Sequence, residues 1–462
     1  MRAGLDQAGA GGGAAALVSG DDAWVLVHGE ARPGCPVGPD TPFHVCSCSK
    51  PLTAAVFAWL VQQGVAGWDE PVHAVVPEFV LADPWVGRRC TFRDLAAMRV
   101  GLARDGIAEW GMDPQRPKVE RLARAAHMDF ETAFRDGFAY SNLCYIALSL
   151  AAERLAGRPY SALVQASLLD PLGMQDARSA GFGVPPPPQA ALPHLGSAHG
   201  PLPVRELTGP NSEGSARMHW SGRDAVRWLR FLLEAMAGSD AGPVSAQGVA
   251  QMATPWALLR GSDVRSSPEG VPGAAYGLGL FFTLLGGRPL YRHGGGGRGW
   301  RHMLLLAPHA RSGVMLMASA EHPAVEGLAL EMLESLMGMP MRDWRTPFTR
   351  AAAQVAAAGQ RAAMLRLTGQ AGGPPAVDPQ SGVYRHPVTG QAQINAGPDG
   401  IRIRFQDAPD FAARLVPDCD GIHRFDFDEP ALARQPFDPP FFLRATEAGV
   451  DTTYFGRLER VG

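Results

Sequence analysis

Lysine is almost missing from this chain. Of its 42 basic residues only Lys50 and Lys118 are lysines, and the rest are arginines. Cysteine is scarce too: Cys35, Cys46, Cys48, Cys90, Cys144 and Cys419 are the full set of six, too scattered for a disulfide framework. There is no Cys-x-x-Cys and no His-x-x-x-His on a helical stretch, so neither a metal site nor a cofactor is expected. An excess of one charge is lacking as well. The formal net charge of −3 provides no basic field for nucleic acid and no polybasic patch for a membrane. No apolar run nears the roughly 20 residues that a bilayer demands. At the N-terminus, Asp6 and the run Gly11 to Gly13 interrupt the continuous apolar segment of an export signal, so a cytoplasmic protein is expected.

What is present is a large core. An apolar fraction of 46% over 462 residues suits one large domain with a smaller one beside it. Strand-like and helix-like segments alternate over residues 1–345. Gly13 to Val18 and Trp24 to Val27 read as a hairpin across Gly20-Asp21-Asp22. Lys50 to Gln63 is apolar nearly all round and stops at Gly64, the pattern of a helix buried inside a domain. Asn142 to Ala156 is a second helix, ended by Gly157 and Pro159. The proline-rich stretch Val184 to Pro210 reads as a surface loop, and Gly222 to Glu234 as an amphipathic helix. Tyr276 to Leu284, Pro289 to His293, Trp300 to Ala307 and Val314 to Ser319 read as consecutive antiparallel strands, with a closing helix over Val325 to Met337. An alanine-rich linker helix from Thr346 and a Gly/Pro hinge occupy residues 346–375. Residues 376–462 alternate short β-type runs with turns, as in a small antiparallel barrel.

Three motifs carry chemistry. Ser47-Cys48-Ser49-Lys50 is an S-x-x-K arrangement at a helix start, where position i+3 shares a face with position i and the ammonium can reach the hydroxyl. Arginine keeps its proton in a protein, whereas a desolvated lysine can become a neutral base. In a chain that otherwise uses arginine, lysine here points to a base. Cys46 and Cys48 flank Ser47 and read either as nucleophiles or as small apolar fillers. Tyr140-Ser141-Asn142 is the second motif, after the strand-like Gly137 to Ala139. Tyr140 can pass a proton to a leaving group, and Asn142 can hold Lys50 and a substrate carbonyl; a core tyrosine beside a helix-capping asparagine is the plainer alternative. The third is His293-Gly294-Gly295-Gly296-Gly297-Arg298-Gly299-Trp300-Arg301. Gly295 and Gly296 would let a substrate backbone approach and leave N–H groups free for an oxyanion, with Arg298 as a further substrate contact; the alternative is a flexible hairpin.

In this order the three motifs resemble those of the serine β-lactamase-like hydrolases: S-x-x-K, Y-x-N and a Lys- or His-led glycine motif. The resemblance covers roughly residues 13 to 340, including Tyr276-Gly277-Leu278-Gly279. It implies an α/β (α+β) domain of the β-lactamase/transpeptidase type, an antiparallel sheet with flanking helices beside a helical lobe, and the C-terminal β-barrel follows it. It also implies that His293 takes the place of the third-motif lysine and orients Tyr140. Among these hydrolases the chain looks most like the D-aminopeptidases, whose C-terminal part comprises two barrels where this tail has room for one. The expected substrate is a small molecule or short peptide, and a homodimer is left open. The tail segment Asp426 to Pro430, expected as a loop, offers Asp426 and Asp428 to a substrate ammonium. A carboxylesterase is the alternative within hydrolases. β-Lactamase or D,D-carboxypeptidase activity is less favoured because both expect export, and a silent binding protein would not need the intact Ser47, Lys50, Tyr140 and His293.

Overall fold

The computed structural model describes all residues except 104–114, 198–199, 261–272, 369–376, 419–420, 430–431, 433–440, 448, 454–455 and 462. The Gly/Pro hinge expected at residues 369–375 lies outside the described residues. The chain divides into two compact units, one over Met1–Arg104 and Gln115–Ala351, the other including Ala352–Gly462.

Nine antiparallel strands form the sheet of the first unit: β1 (Gly12–Ser19), β2 (Asp22–Arg32), β3 (Cys35–Pro36), β4 (Ala257–Leu258), β5 (Gly273–Tyr276), β6 (Phe281–Leu285), β7 (Arg288–Gly297), β8 (Trp300–Ala307) and β9 (Ser312–Ala318). Their spatial order is β3-β2-β1-β9-β8-β7-β6-β5-β4, so the first hairpin joins the last strand at the sheet centre. The expected β1–β2 hairpin forms, with Leu17 opposite Trp24 and Ala14 opposite Val27. The central strands are apolar on both faces because both faces are covered. Val314, Leu316 and Ala318 of β9 join Met303 and Leu305 of β8 in one core with Leu5, Leu328 and Leu333. Leu5 lies in the N-terminal helix α1 (Arg2–Gln7), and Leu328 and Leu333 in a closing helix, Ala324–Leu336. Gly313, one residue out of phase, faces Leu229 and Leu233 of the amphipathic helix Gly222–Met236 instead. That helix starts on a capping box between Ser221 and Asp224.

Helices build the lobe beside this sheet. Helix α2 (Ser49–Gln62) buries Leu52, Val56, Phe57 and Leu60, and helix α3 (Asn142–Ala156) ends on left-handed Gly157. The stretch expected as a single long strand, Tyr276 to Leu284, is two strands, because Gly277 to Leu280 turn between β5 and β6 and Gly279 takes φ +89°. The proline-rich segment is not wholly loop either: His194–Ser197 and Gly200–Pro203 pair as a small hairpin.

The second unit is a closed antiparallel barrel of eight strands, each pairing with its chain neighbour and the last with the first. Two of its strands, Ala408–Pro417 and Ile422–Phe427, fall outside the β-type runs that the sequence suggests at Val383–Tyr384, Ala392–Ile394, Ile401–Phe405, Phe441–Ala445 and Thr452–Leu458. Ile394, Ile403 and Phe405 are buried while Arg402 and Arg404 are exposed, the period-2 alternation of a barrel wall.

Candidate active site

Ser47 lies in a single 3-10 turn, Cys46–Cys48, that runs into α2. A short sheet sets its entry: Phe43 and His44 pair with Trp220 and His219, and Val45 N–H donates to the Met218 carbonyl. Cys46 takes φ +49°, a left-handed conformation uncommon outside glycine and often found where a side chain must be re-aimed. The Ser49 hydroxyl braces this bend by donating to the Cys46 carbonyl at 2.6 Å and accepting from Met218 N–H at 3.2 Å. Cys46 and Cys48 are fully buried, and burial pushes both thiols up, away from the reactive thiolate. They are fillers, and Ser47 is the group left facing solvent in this turn.

Lys50 is buried completely, with its Nζ 2.9 Å from Ser47 Oγ and 2.8 Å from the Ser215 carbonyl oxygen. The Tyr140 hydroxyl lies 2.7 Å from Ser47 Oγ. Lys50 Nζ also stands 4.9 Å from the centre of the Tyr140 ring and 5.8 Å from that of Tyr145. The segment carrying Tyr140 is extended but belongs to no sheet; Phe138 N–H and Ala139 N–H tie it to the Leu258 and Met98 carbonyls. Asn142 opens α3 two residues on, half-buried.

The glycine motif is strand, not loop. Strand β7 continues through His293 to Gly297, and the turn of its hairpin with β8 is Arg298-Gly299 alone. Pairing with β6 stops at Phe281 opposite Arg292, so beyond Arg292 the β6 edge of β7 is open. There it crosses the nucleophile turn: a Cβ on Gly295 would stand 2.5 Å from the Val45 carbonyl oxygen, and one on Gly297 3.2 Å from Cys46 Sγ. Gly296 is exposed. His293 Nε2 lies 3.1 Å from the Tyr276 hydroxyl and Nδ1 2.7 Å from the Gly294 carbonyl. Burial, reinforced by the Lys50 charge, pushes the imidazole down to about 3, so it is neutral at working pH.

Three expected substrate contacts are placed differently. Arg298 is buried, its guanidinium 3.2 Å from Glu321, because the turn folds it inward. Asp426 is exposed on a barrel strand, outside any loop, and Asp428, just beyond that strand, is ion-paired with Arg402.

Sequence reasoning named neither Ser215 nor Tyr276 as partners of the site. A backbone acceptor leaves no trace in side-chain chemistry, so Ser215 carried no signal. Tyr276 did carry one, the Tyr276-Gly277-Leu278-Gly279 stretch noted in the sequence; in the structure Gly279 of that turn rests against Pro51 Cα, where a Cβ would come to 2.8 Å.

The chain is 29% identical over 234 residues to an unguisins hydrolase of Aspergillus campestris, covering 47% of this chain and 43% of that protein. It is 32% identical over 204 residues to esterase EstB of Burkholderia gladioli, with coverage of 40% and 50%. It is 26% identical over 354 residues to a D-aminopeptidase of Brucella ovis, with coverage of 71% and 60%. The chain thus spans about half the length of these relatives. The octameric penicillin-binding protein homologue from Pyrococcus abyssi shares the fold at TM-score 0.62 and 19% identity, over 99% of this chain and 97% of that one. Among the described residues no helix is long and apolar enough to cross a membrane. With the Beta-lactamase family pattern matching residues 1–336, the chain belongs to that family and is a hydrolase of its superfamily.

Proposed function

We propose that the protein is a D-aminopeptidase-like amidase or peptidase that works through an acyl-enzyme on Ser47. The observation that carries this is the bracketing of one solvent-facing hydroxyl by an amine at 2.9 Å and a phenol at 2.7 Å. Ser47 Oγ attacks the substrate carbonyl and its proton passes to Lys50 or Tyr140. The oxyanion is held by the Ser47 N–H and an N–H of the open β7 edge, a contribution of about 3 kcal/mol per donor. Tyr140 then protonates the leaving amine, and water attacks the ester and releases the acid. Asn142 steadies Lys50 and the substrate carbonyl.

The cationic side supports an uncharged leaving group. His293 is neutral where the family's third motif can carry a lysine, Arg298 is engaged by Glu321, and Arg301 by Glu326. A substrate carboxylate finds little charge along this strand, which favours amides and esters over carboxylate-ended substrates. The likeness to EstB supports a carboxylesterase as the second reading. The free thiols of Cys35, Cys46, Cys48, Cys90 and Cys144 fit a reducing cytoplasm.

The test is covalent labelling of Ser47 by a fluorophosphonate, followed by turnover of D-alanine anilide, L-alanine anilide, nitrophenyl esters and a chromogenic cephalosporin. Preferred cleavage of the D-anilide is expected. Turnover of esters alone transfers the assignment to esterase, and no labelling of Ser47 ends the acyl-enzyme mechanism.

A further inference from the structure

We infer that Lys118 and Glu213 are positioning residues for Lys50, acting through the backbone of residues 211–215. The two lysines of the chain are joined by this one short segment. Lys118 Nζ, 7% exposed, lies 2.8 Å from Glu213 Oε2, itself in a residue 4% exposed. Ser179 donates to the other carboxylate oxygen at 2.8 Å. Two residues beyond Glu213, the Ser215 carbonyl accepts from Lys50 at 2.8 Å.

The segment between is held from three sides. Arg121, on the same short helix as Lys118 (Lys118–Ala123), donates to the Asn211 carbonyl at 3.2 Å and to the Ser212 hydroxyl at 2.8 Å. Helix α3 meets it through Ser149, whose hydroxyl donates to the Glu213 carbonyl at 3.0 Å. Gly214 lies so close to α3, at φ +92°, that a Cβ would come within 2.6 Å of the Tyr145 carbonyl. Helix α2 holds it through Thr53, which donates to the Gly214 carbonyl at 2.6 Å. Thr53 lies one turn past Lys50 on α2, so the same helix that carries the amine also grips the segment that receives its hydrogen bond.

A buried ion pair contributes little net stability, and apolar replacements are often neutral or better. Its effect here is on location. It fixes the Ser215 carbonyl where the amine must donate, and with it the direction in which Nζ faces Ser47. Loosening that carbonyl removes an acceptor that favours the charged amine, so the Lys50 pKa falls. The other titratable groups that face Lys50 include Tyr140, Tyr145, His293, Cys46, Cys48 and Cys144.

The consequence for rate rests on the acyl-transfer reading above, whereas the coupling itself can be read without any substrate. With [6-13C]lysine incorporated, the protein gives two side-chain signals, assigned with Lys118→Met. The Lys50 signal is titrated in the wild type, in Glu213→Gln and in the neutral double variant Lys118→Met/Glu213→Gln. The double variant leaves no lone buried charge and no net change of charge, which separates lost position from a changed field. The Lys50 pKa is expected to fall by about half a unit or more in both. The low-pH limb of fluorophosphonate labelling should move down by the same amount. A Lys50 titration in the folded double variant that matches the wild type, with only a lower Tm, overturns the inference. Failure of the wild type to label would strike the acyl-enzyme reading alone, since the titration still decides the coupling.

Discussion

The two units of this protein handle charge in opposite ways. The barrel exposes Arg385, Arg402, Arg404 and Arg414 and fills its interior with Ile394, Ile403 and Phe405. The α/β unit instead buries Lys50, Lys118, Glu213, His293 and His302, each beside a defined partner. An outward charge can be exchanged at small cost because water screens it, while a buried one is tied to a fixed geometry. Chemistry and fragility are therefore expected to concentrate in the first unit.

The sharpest break would come from the nucleophile. Ser47→Ala and Lys50→Ala should each lower kcat/KM by at least about 10⁴-fold with circular dichroism unchanged. Near-full activity in Lys50→Ala would end the assignment of that amine. Next come two glycines, one from each unit. Gly295→Val drives a side chain into the Val45 carbonyl and should lower kcat about 100-fold by displacing the nucleophile turn. Gly397→Ala, on a barrel strand with open space around its Cβ, should leave activity and Tm unchanged. Equal effects of the two would dissolve the contrast.

Acid provides a third test. Burial holds His293 and His302 down at about 3 and His219 well below its ordinary value. Because the folded values lie below the unfolded one near 6.5, the unfolded chain takes up protons that the fold refuses. The stability present above about pH 6.5 is thus lost as pH falls towards 3, with a slope of up to about 4 kcal/mol per pH unit for three protons. Calorimetry between pH 7 and 4 should show the α/β transition falling faster than that of the barrel. The smallest effect is expected from Asp426→Asn/Asp428→Asn/Glu429→Gln. Asp428 is exposed and already paired with Arg402, so KM for an amino-terminal substrate should stay within about twofold. A large rise in KM would restore these carboxylates as ammonium anchors.

Much of this was legible before any coordinates. The near-continuous apolar run from Lys50 to its stop at Gly64 and the breaker Gly157 mark α2 and α3, since buried helices keep their apolar sides and their glycine stops. Three motifs marked the site because each needs residue types that packing alone does not require. The four glycines of β7 were misleading for a physical reason. Glycine has little strand preference, yet here the strand passes so close to the nucleophile turn that a Cβ on Gly295 would meet the Val45 carbonyl and one on Gly297 would crowd Cys46. The strand Ala408–Pro417 was hidden because its exposed face carries Arg414 and a proline ends it. The segment holding Ser215 was hidden because its role belongs to the backbone.

Both lysines lie inside the fold, Lys50 wholly and Lys118 at 7% exposure. The native surface therefore offers no lysine amine to an acylating reagent or to a protease that cuts after lysine. Acylation at Lys50 or Lys118, read apart from the N-terminal amine, or such cleavage would report opening of the α/β unit, making the protein its own unfolding probe. Cross-linkers that target lysine would find nothing to join on the intact molecule.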